Sequence, residues 1–190
     1  MKNVAVFASG SGSNFEAIMN SIKNGELDAQ VSLVVCDKPG AKVIERAAKF
    51  GVDSFVISPK NFENKAAYET EITKKLLDKE IEFIVLAGYM RLIGGTLLSQ
   101  FKGKIVNIHP SLLPSFPGLD AVGQAYRAGV KVTGVTIHYV DEGMDTGPII
   151  EQAVVSITND DTIETVEKKI HEVEHKLYPK TLQTIFLQEK

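Results

Sequence analysis

Two side chains suited to stabilising an oxyanion stand two residues apart in the segment Asn107–Pro110. The apolar run Ile105–Ile108 predicts a buried strand, in which Asn107 and His109 share one face with α-carbons about 6.5 Å apart. An amide donor beside an imidazole suits a carbonyl oxygen that becomes negatively charged, and histidine exchanges protons near neutral pH. The alternative is a histidine that serves only as hydrogen-bonded structure at a strand end.

A glycine loop, Gly10–Asn14 (G-S-G-S-N), follows the first predicted strand and opens the first predicted helix. Backbone N–H groups at a helix N-terminus favour an anion, and glycine lets the backbone approach a phosphate closely. The dinucleotide pattern would need a small residue at Phe15, and a Walker A loop would end in Gly-Lys-Ser/Thr. The loop therefore predicts a single phosphate, which Gly12→Val should obstruct; a tight turn without a ligand is the alternative.

A third polar segment, Asp141–Pro148, combines acidic residues and glycines in a loop between two predicted strands. A carboxylate from this loop that reached His109 would favour the imidazolium form. A solvated turn explains the same residues equally well.

The segment His171–His175 (H-E-V-E-H) matches two zinc-binding patterns on a predicted helix. Histidines four apart share a helix face and could bind zinc, with a glutamate as general base, which makes a metallopeptidase the rival hypothesis. The other histidines, His109 and His138, lie in predicted strands, and no glycine-rich second helix offers a further ligand. The segment is also typical of a plain amphipathic helix, so we predict no metal site.

The elements that position these residues alternate between short Val/Ile-rich strands and amphipathic helices. The predicted strands are Val4–Ala8, Val31–Cys36, Ser54–Ile57, Phe83–Ala87 and Ile105–Ile108, and the helices lie near Asn14–Lys23, Ala41–Phe50, Lys65–Lys79 and Thr96–Phe101. Strand and helix in alternation predict an α/β fold with a doubly wound, mainly parallel sheet.

The pattern changes after Ile108, where three prolines rule out regular structure. The elements predicted beyond them are a helix at Ala121–Ala128, two β-rich runs at Val132–Val140 and Pro148–Ile157, and a last helix opened by Asp160, Asp161 and Glu164 as a capping box, with a break or kink at Pro179. Two consecutive β runs predict a mixed, partly antiparallel extension of the sheet.

Composition limits the classes of protein. The 190 residues suit one domain, and 44% apolar with 24% charged residues is ordinary for a globular chain. A net charge of -3 does not indicate a surface that binds nucleic acid. No apolar segment approaches the length of about 20 residues that spans a bilayer. Cys36 is the only cysteine, which suits a reducing compartment, and the apolar run Val4–Ala8 is too short for a signal peptide. No feature predicts an oligomeric state.

Four segments in chain order resemble the folate-dependent formyltransferases: Gly10–Asn14, Ala87–Arg91, Asn107–Pro114 and Asp141–Pro148. The block Asn107–Pro114 (N-I-H-P-S-L-L-P) is highly specific for that superfamily, and the glycine loop points to its glycinamide ribonucleotide branch. The resemblance runs essentially end to end. It implies a Rossmann-like formyltransferase fold in one domain over residues 1–190, with a phosphate-binding half at 1–100 and a catalytic and folate-binding half at 101–190.

The resemblance also implies a function and its residues. A cytoplasmic enzyme of this kind transfers a formyl group from 10-formyltetrahydrofolate to the amine of glycinamide ribonucleotide in de novo purine synthesis, without a metal. Asn107 and His109 would stabilise the oxyanion, and Asp145 would raise the pKa of His109 and assist proton transfer. The ribonucleotide site would comprise Gly12, Ser13, Asn14, His171, Glu172, Val173 and Glu174. The folate site would comprise Lys65, Met90, Arg91, Leu92, Ile93, Asn107, Asp141, Glu142, Gly143, Met144 and Asp145.

Two of the positions depart from the pattern of some relatives. Lys65 falls where some relatives carry arginine near the folate tail, and Thr136 falls where some carry serine. Either hydroxyl, that of threonine or that of serine, could order a water.

Three alternatives use parts of the same pattern. A formyltetrahydrofolate deformylase would use the same trio with water as acceptor, but resembles this domain preceded by a regulatory one. A methionyl-tRNA formyltransferase would need a further nucleic-acid-binding domain and a basic face. A phosphometabolite sensor would keep the glycine loop and have no use for the trio.

Overall fold

The Val- and Ile-rich runs form one seven-stranded sheet in the computed structural model, which describes residues 1–188. The strands are β1 (Lys2–Ala8), β2 (Ala29–Cys36), β3 (Ser54–Val56), β4 (Phe83–Leu86), β5 (Ile105–His109), β6 (Val132–Tyr139) and β7 (Ile149–Ser156). The helices are α1 (Ser13–Lys23), α2 (Lys42–Lys49), α3 (Lys65–Asp78), α4 (Gly95–Gln100), α5 (Ala121–Ala128) and α6 (Ile163–Gln188), with a 3-10 turn at Pro59–Asn61.

The strand order is β3-β2-β1-β4-β5-β6-β7. The first five strands are parallel, whereas β6 runs antiparallel to β5 and β7 antiparallel to β6. The predicted doubly wound sheet with a mixed C-terminal extension is therefore confirmed. Because the order reverses between β1 and β4, the carboxyl ends of these strands leave a crevice where open α/β sheets bind ligands.

Alternation along the strands builds a separate core on each face of the sheet. In β1, Val4 and Val6 pack with α1, α2 and α6, whereas Ala5 and Phe7 pack with α3 and α4. Both faces are covered, so the parallel strands are apolar on both sides. This rigid support holds the loops at the carboxyl ends of the strands.

The start of α6 differs from the predicted capping box. The Thr165 N–H donates to Thr162 Oγ1 at 3.3 Å, and the Thr162 N–H donates to Thr165 Oγ1 at 2.9 Å. Asp161 instead accepts from the Thr158 N–H at 2.8 Å and from Lys169 Nζ at 2.6 Å. The reciprocal box thus begins at Thr162, because a threonine hydroxyl both donates and accepts and so replaces the glutamate of the predicted box.

Of the break or kink predicted at Pro179, the break is wrong, because α6 continues through Pro179 to Gln188. Proline removes one helical N–H, but tertiary contacts hold the helix on both sides of it. The fully buried Tyr178 donates its hydroxyl to Leu86 O at 2.7 Å, and Leu182 packs in the core one turn later. In residues 1–188, no helix has both the length and the apolar character needed to cross a membrane.

Candidate active site

A cleft of about 500 Å³ opens at the crevice between the ends of β1 and β4. Five of the segments that line it carry predicted site residues and lie far apart in sequence. They are the glycine loop Gly10–Asn14, the loop after β4 with Met90–Ile93, the end of β5 with Asn107 and His109, the loop residues Gly143–Asp145, and His171 with Glu174 on α6. Both predicted halves of the chain therefore line one cleft.

His109 and Asp145 lie next to each other in this cleft. A carboxylate of the loop Asp141–Pro148 therefore does reach His109, as the sequence suggested it could. His109 Nδ1 lies 3.4 Å from Asp145 Oδ2, and both side chains are largely buried. The other ring nitrogen, Nε2, lies 2.9 Å from Phe116 O, and because a carbonyl only accepts, that nitrogen carries a proton. Because Nε2 is engaged with the backbone, Nδ1 is the nitrogen left for a reacting group, which would share it with the Asp145 carboxylate.

The backbone around this pair is held in uncommon conformations. Asp145, Phe116 and Asp120 all have positive φ angles, of 56°, 53° and 55°. Left-handed conformations at residues other than glycine are costly and persist where surrounding contacts fix them. One such contact is the Gly118 N–H, which donates to Asp145 Oδ2 at 2.8 Å. The carboxylate is thereby oriented by the proline-rich loop that follows β5.

Asn107 pairs with His138, which belongs to none of the sequence motifs. In the β5–β6 register Asn107 stands opposite His138, and the Asn107 Nδ2 amide lies 3.3 Å from His138 Nε2. His138 Nδ1 lies 2.8 Å from Tyr139 O, so Nδ1 carries the ring proton and Nε2 accepts from Asn107. Burial lowers the pKa of His138, in agreement with a neutral ring. The Asn107–His138 contact fixes one amide hydrogen and leaves the second for the cleft.

His138 also faces Asp145, with Nε2 at 3.9 Å from Oδ1. The sequence carried one signal for this residue, the antiparallel pairing of two adjacent β runs. That signal does not specify the register of the two strands, and a shift of one residue in register would turn His138 to the other face of the sheet.

Thr136 supports the loop after β5 and does not order a water. Its hydroxyl donates to Ser111 O at 2.7 Å and accepts from the Leu113 N–H at 3.0 Å and from Gln152 Nε2 at 2.9 Å. A hydroxyl has one donor and two acceptor positions, so all three are filled. These bonds leave the hydroxyl no position for a water.

Gly12 forms the N-terminal boundary of α1 and makes no side-chain cap. Its φ of 74° is left-handed, and a Cβ there would lie 2.6 Å from Val43 Cγ2 on α2. The glycine is therefore required by helix packing as well as by the turn. This corrects the expected effect of Gly12→Val, which would disturb the contact with Val43 before it obstructed a phosphate.

The wall next to the glycine loop joins α1 to α6. Asn14 Nδ2 donates to Glu174 Oε2 at 3.3 Å, and Asn14 Oδ1 is buried without a hydrogen-bond partner among the described residues. Burial raises the pKa of Glu174, while the nearby His171 opposes that shift. Of the other two predicted residues in this stretch, Glu172 is exposed and Val173 packs against the core, so neither lines the cleft.

The two histidines of the segment that matches zinc-binding patterns lie side by side on α6. The His171 and His175 rings stack with centroids 6.2 Å apart. Among residues 1–188, no group of three or more His, Cys, Asp or Glu is placed so that it could hold a metal ion. The absence of a metal in the protein remains a prediction.

The predicted folate residues divide between two cavities and a supporting turn. Met90–Ile93 and Gly143–Asp145 line the cleft, whereas Lys65 lines an adjoining cavity of about 430 Å³ together with Arg91. Asp141 and Glu142 do not line either cavity. Asp141 shapes the loop instead, accepting from the Gly143 N–H at 3.0 Å and from the Thr146 hydroxyl at 2.7 Å, and the latter bond lowers the pKa of Asp141.

Comparison with known proteins identifies the family. The family model described as Formyl transferase matches residues 2–182. The chain belongs to the formyl transferase family. This formyltransferase is 62% identical over 185 residues to phosphoribosylglycinamide formyltransferase of Bacillus subtilis (strain 168), a match that covers 97% of this chain and 95% of that one. The predicted family and its enzymatic class are confirmed.

Structural comparison agrees. The crystal structure of phosphoribosylglycinamide formyltransferase from Bacillus halodurans has a TM-score of 0.97 and 58% identity, and the match covers 100% of this chain and 97% of that one. The formyltransferase is also 45% identical over 183 residues to the trifunctional purine biosynthetic protein adenosine-3 of Drosophila pseudoobscura pseudoobscura, covering 95% of this chain and 13% of that longer protein. The predicted formyltransferase fold is therefore confirmed.

Proposed function

We propose that this enzyme transfers the formyl group of 10-formyltetrahydrofolate to the amine of glycinamide ribonucleotide, a cytoplasmic step of de novo purine synthesis. One observation carries the proposal: a single cleft joins an anion-favouring glycine loop to the cluster of Asn107, His109 and Asp145. The name of the Bacillus subtilis relative supports the same acceptor. We also propose that residues 1–190 form one domain, because one sheet carries both sets of residues.

The acceptor would bind at the glycine loop and α6. Backbone N–H groups of Gly12, Ser13 and Asn14 at the start of α1 suit its phosphate. Asn14 Oδ1 is a buried acceptor without a partner among the described residues, so a hydroxyl or N–H of the ribonucleotide would supply its missing hydrogen bond. Of the stretch 171–174, we assign direct contacts to His171 and Glu174 only, because these two line the cleft.

The formyl donor would bind between the loop after β4 and the acidic loop. Met90, Leu92 and Met144 are exposed apolar side chains at these walls, which suits the flat ring system of a folate. Lys65 and Arg91 line the adjoining cavity, where their positive charges suit the anionic tail of the donor. Asp141 and Glu142 would act by shaping the loop that carries Asp145.

The chemistry follows from the donors that face the cleft. Attack of the acceptor amine on the formyl carbon forms a C–N bond and moves the carbonyl electron pair onto oxygen. We assign two donors to that oxygen, the free Nδ2 hydrogen of Asn107 and the Nδ1 hydrogen of His109. Asp145 Oδ2 lies 3.4 Å from His109 Nδ1, so its carboxylate would orient the ring. Collapse breaks the bond between carbon and the donor nitrogen, which gains a proton as the amine loses one, with Asp145 moving that proton through water.

The test is formyl transfer in a purified system with 10-formyltetrahydrofolate, with and without glycinamide ribonucleotide. We expect tetrahydrofolate to form only when the ribonucleotide is present, and EDTA to leave the rate unchanged. Formate released at an undiminished rate without the ribonucleotide would identify a deformylase. Stoichiometric zinc, with activity lost on its removal, would restore the metallopeptidase hypothesis.

A further inference from the structure

A buried carboxylate outside the catalytic cluster, that of Asp37, connects the ends of three parallel strands. Asp37 directly follows β2, and its side chain is 1% exposed. Oδ1 accepts from the hydroxyl of Ser9, the residue after β1, at 2.5 Å. Oδ2 accepts from Nε of Arg91, on the loop after β4, at 2.7 Å.

Ser9 extends this connection to the backbone of the loop that carries Arg91. The Ser9 hydroxyl accepts from the Met90 N–H at 2.9 Å, so one oxygen links the Asp37 carboxylate to that loop. The Ser9 backbone N–H donates to Gly88 O at 3.0 Å, a contact that does not use the side chain. The two ends of the segment Gly88–Arg91 are thereby tied to neighbouring strands.

The charge of Asp37 has a positional use that packing alone would not require. Burying a carboxylate is unfavourable unless it is paired and hydrogen-bonded, and an apolar residue commonly stabilises a core as well as a buried ion pair does. Arg91 is 40% exposed, uses Nε for this contact, and lines both the cleft and the adjoining cavity. The ion pair therefore fixes the direction of a cation at the wall of both cavities.

We propose that Asp37 is a positioning residue, which acts through Ser9 and Arg91 to hold the loop Gly88–Ile93 in the shape that receives the formyl donor. This inference rests on the proposed function, since it assigns that loop to the donor. It separates two contributions within one cleft: Asp37 governs donor binding, whereas the glycine loop governs the acceptor.

The test compares Asp37→Asn with Asp53→Asn in steady-state kinetics. Asp53 is an exposed carboxylate whose Oδ2 lies 2.5 Å from Lys79 Nζ, so it provides a matched loss of charge and ion pair away from the cleft. We expect Asp37→Asn to raise KM for 10-formyltetrahydrofolate about 10-fold, with KM for the ribonucleotide and kcat changed less than about 3-fold. Asp53→Asn should leave all three unchanged.

A second variant keeps the test decisive if Asp37→Asn folds poorly. Ser9→Ala removes the hydroxyl between Asp37 and the Met90 N–H but keeps both charges and the backbone contact with Gly88. It should show the same donor-selective rise in KM, and direct titration with tetrahydrofolate should show weaker binding for both variants. A lower melting temperature with equal changes in the two KM values, or with none, would mean that Asp37 is structural only.

The wild-type protein separates failure of this inference from failure of the proposed function. If the wild type transfers no formyl group and does not bind tetrahydrofolate, the proposed function fails. The assignment of the loop Gly88–Ile93 to the formyl donor then fails as well. If the wild type is active and the Asp37→Asn and Ser9→Ala variants keep a normal donor KM, the proposed function stands and the positioning role of Asp37 is overturned.

Discussion

The glycine loop and the catalytic cluster line the same cleft but are built in different ways. At the glycine loop the backbone is the functional group, and its shape follows from the left-handed Gly12 and the start of α1. In the catalytic cluster the side chains are the functional groups, and each is held by a partner in another segment of the chain. Asn107 is held by His138, His109 by Phe116 O, and Asp145 by the Gly118 N–H.

Because one site is built from backbone and the other from side chains, a substitution should have different effects in the two regions. A backbone site is sensitive to any side chain that alters the path of the chain, whereas a side-chain site is sensitive to the loss of single atoms. The first region should respond in acceptor KM and stability together. The second should respond in kcat with little change in stability.

The largest effect is expected in the catalytic cluster. His109→Ala removes the Nδ1 donor and should lower kcat by about 10²-fold or more, and Asn107→Ala and Asp145→Asn should act in the same direction. Stopped-time assays of tetrahydrofolate formation measure kcat, and circular dichroism checks the fold. His175→Ala is the control, because His175 does not line the cleft. Near-normal turnover in His109→Ala would contradict the proposed mechanism.

The next effect tests the backbone site. Gly12→Ala should raise the ribonucleotide KM about 10-fold and destabilise the fold by about 1–3 kcal/mol, because its Cβ meets Val43. Kinetics and thermal unfolding measure the two effects. Gly25→Ala is the matched control, since Gly25 has a φ of 77° but no atom within 4 Å of the added Cβ. Equal destabilisation in both variants would mean that the turn conformation, and not the Val43 contact, explains the glycine.

A smaller effect on kcat is expected from His138, which supports the catalytic cluster through Asn107. His138→Phe removes the acceptor that orients the Asn107 amide and should lower kcat about 10-fold with both KM values unchanged. In an Asn107→Ala background the same change should cost little more, because His138 acts through Asn107. Additive losses in this double-mutant cycle would show that His138 acts by another route.

The smallest effect concerns pH and stability. Burial lowers the pKa values of His138 and His175, so the folded protein keeps these rings neutral while the unfolded chain takes up protons below the ordinary value of about 6.5. The unfolded state then binds more protons, and the free energy of unfolding should fall as pH drops below about 6.5. Urea titrations at a series of pH values measure the slope. His138→Phe should flatten it, and an unchanged slope would rule out His138 as a contributor.

In the same urea titrations, Glu174 should contribute a pH dependence of the free energy of unfolding opposite in sign to that of the two histidines. Burial raises the pKa of its carboxyl group, so the folded state binds more protons than the unfolded chain above the ordinary value near 4.5. Its contribution to stability is therefore lost as pH rises through the raised pKa, and Glu174→Gln should remove that loss.

Local sequence signals predicted most of the elements correctly. The alternation of Val/Ile runs with amphipathic helices fixed the parallel half of the sheet, because both faces of each strand must be apolar when helices cover both. The apolar run predicted for β5 ends at Ile108, and the strand includes the polar His109 that follows it, as the shared face of Asn107 and His109 requires. The helix does not break at Pro179, because the local cost of proline is outweighed by the tertiary contacts of Tyr178 and Leu182.

The sequence by itself determined the family, the doubly wound fold and the residue types available for chemistry, since these depend on periodicity, glycine position and short motifs. Only the tertiary structure decided which groups meet: the register that sets His138 against Asn107, the direction of Nδ1 on His109, and the burial of Asp37 between Ser9 and Arg91. The physical reason is distance along the chain. Periodicity reports contacts within a helix or strand, whereas these contacts join separate elements through packing and strand pairing, which no local pattern encodes.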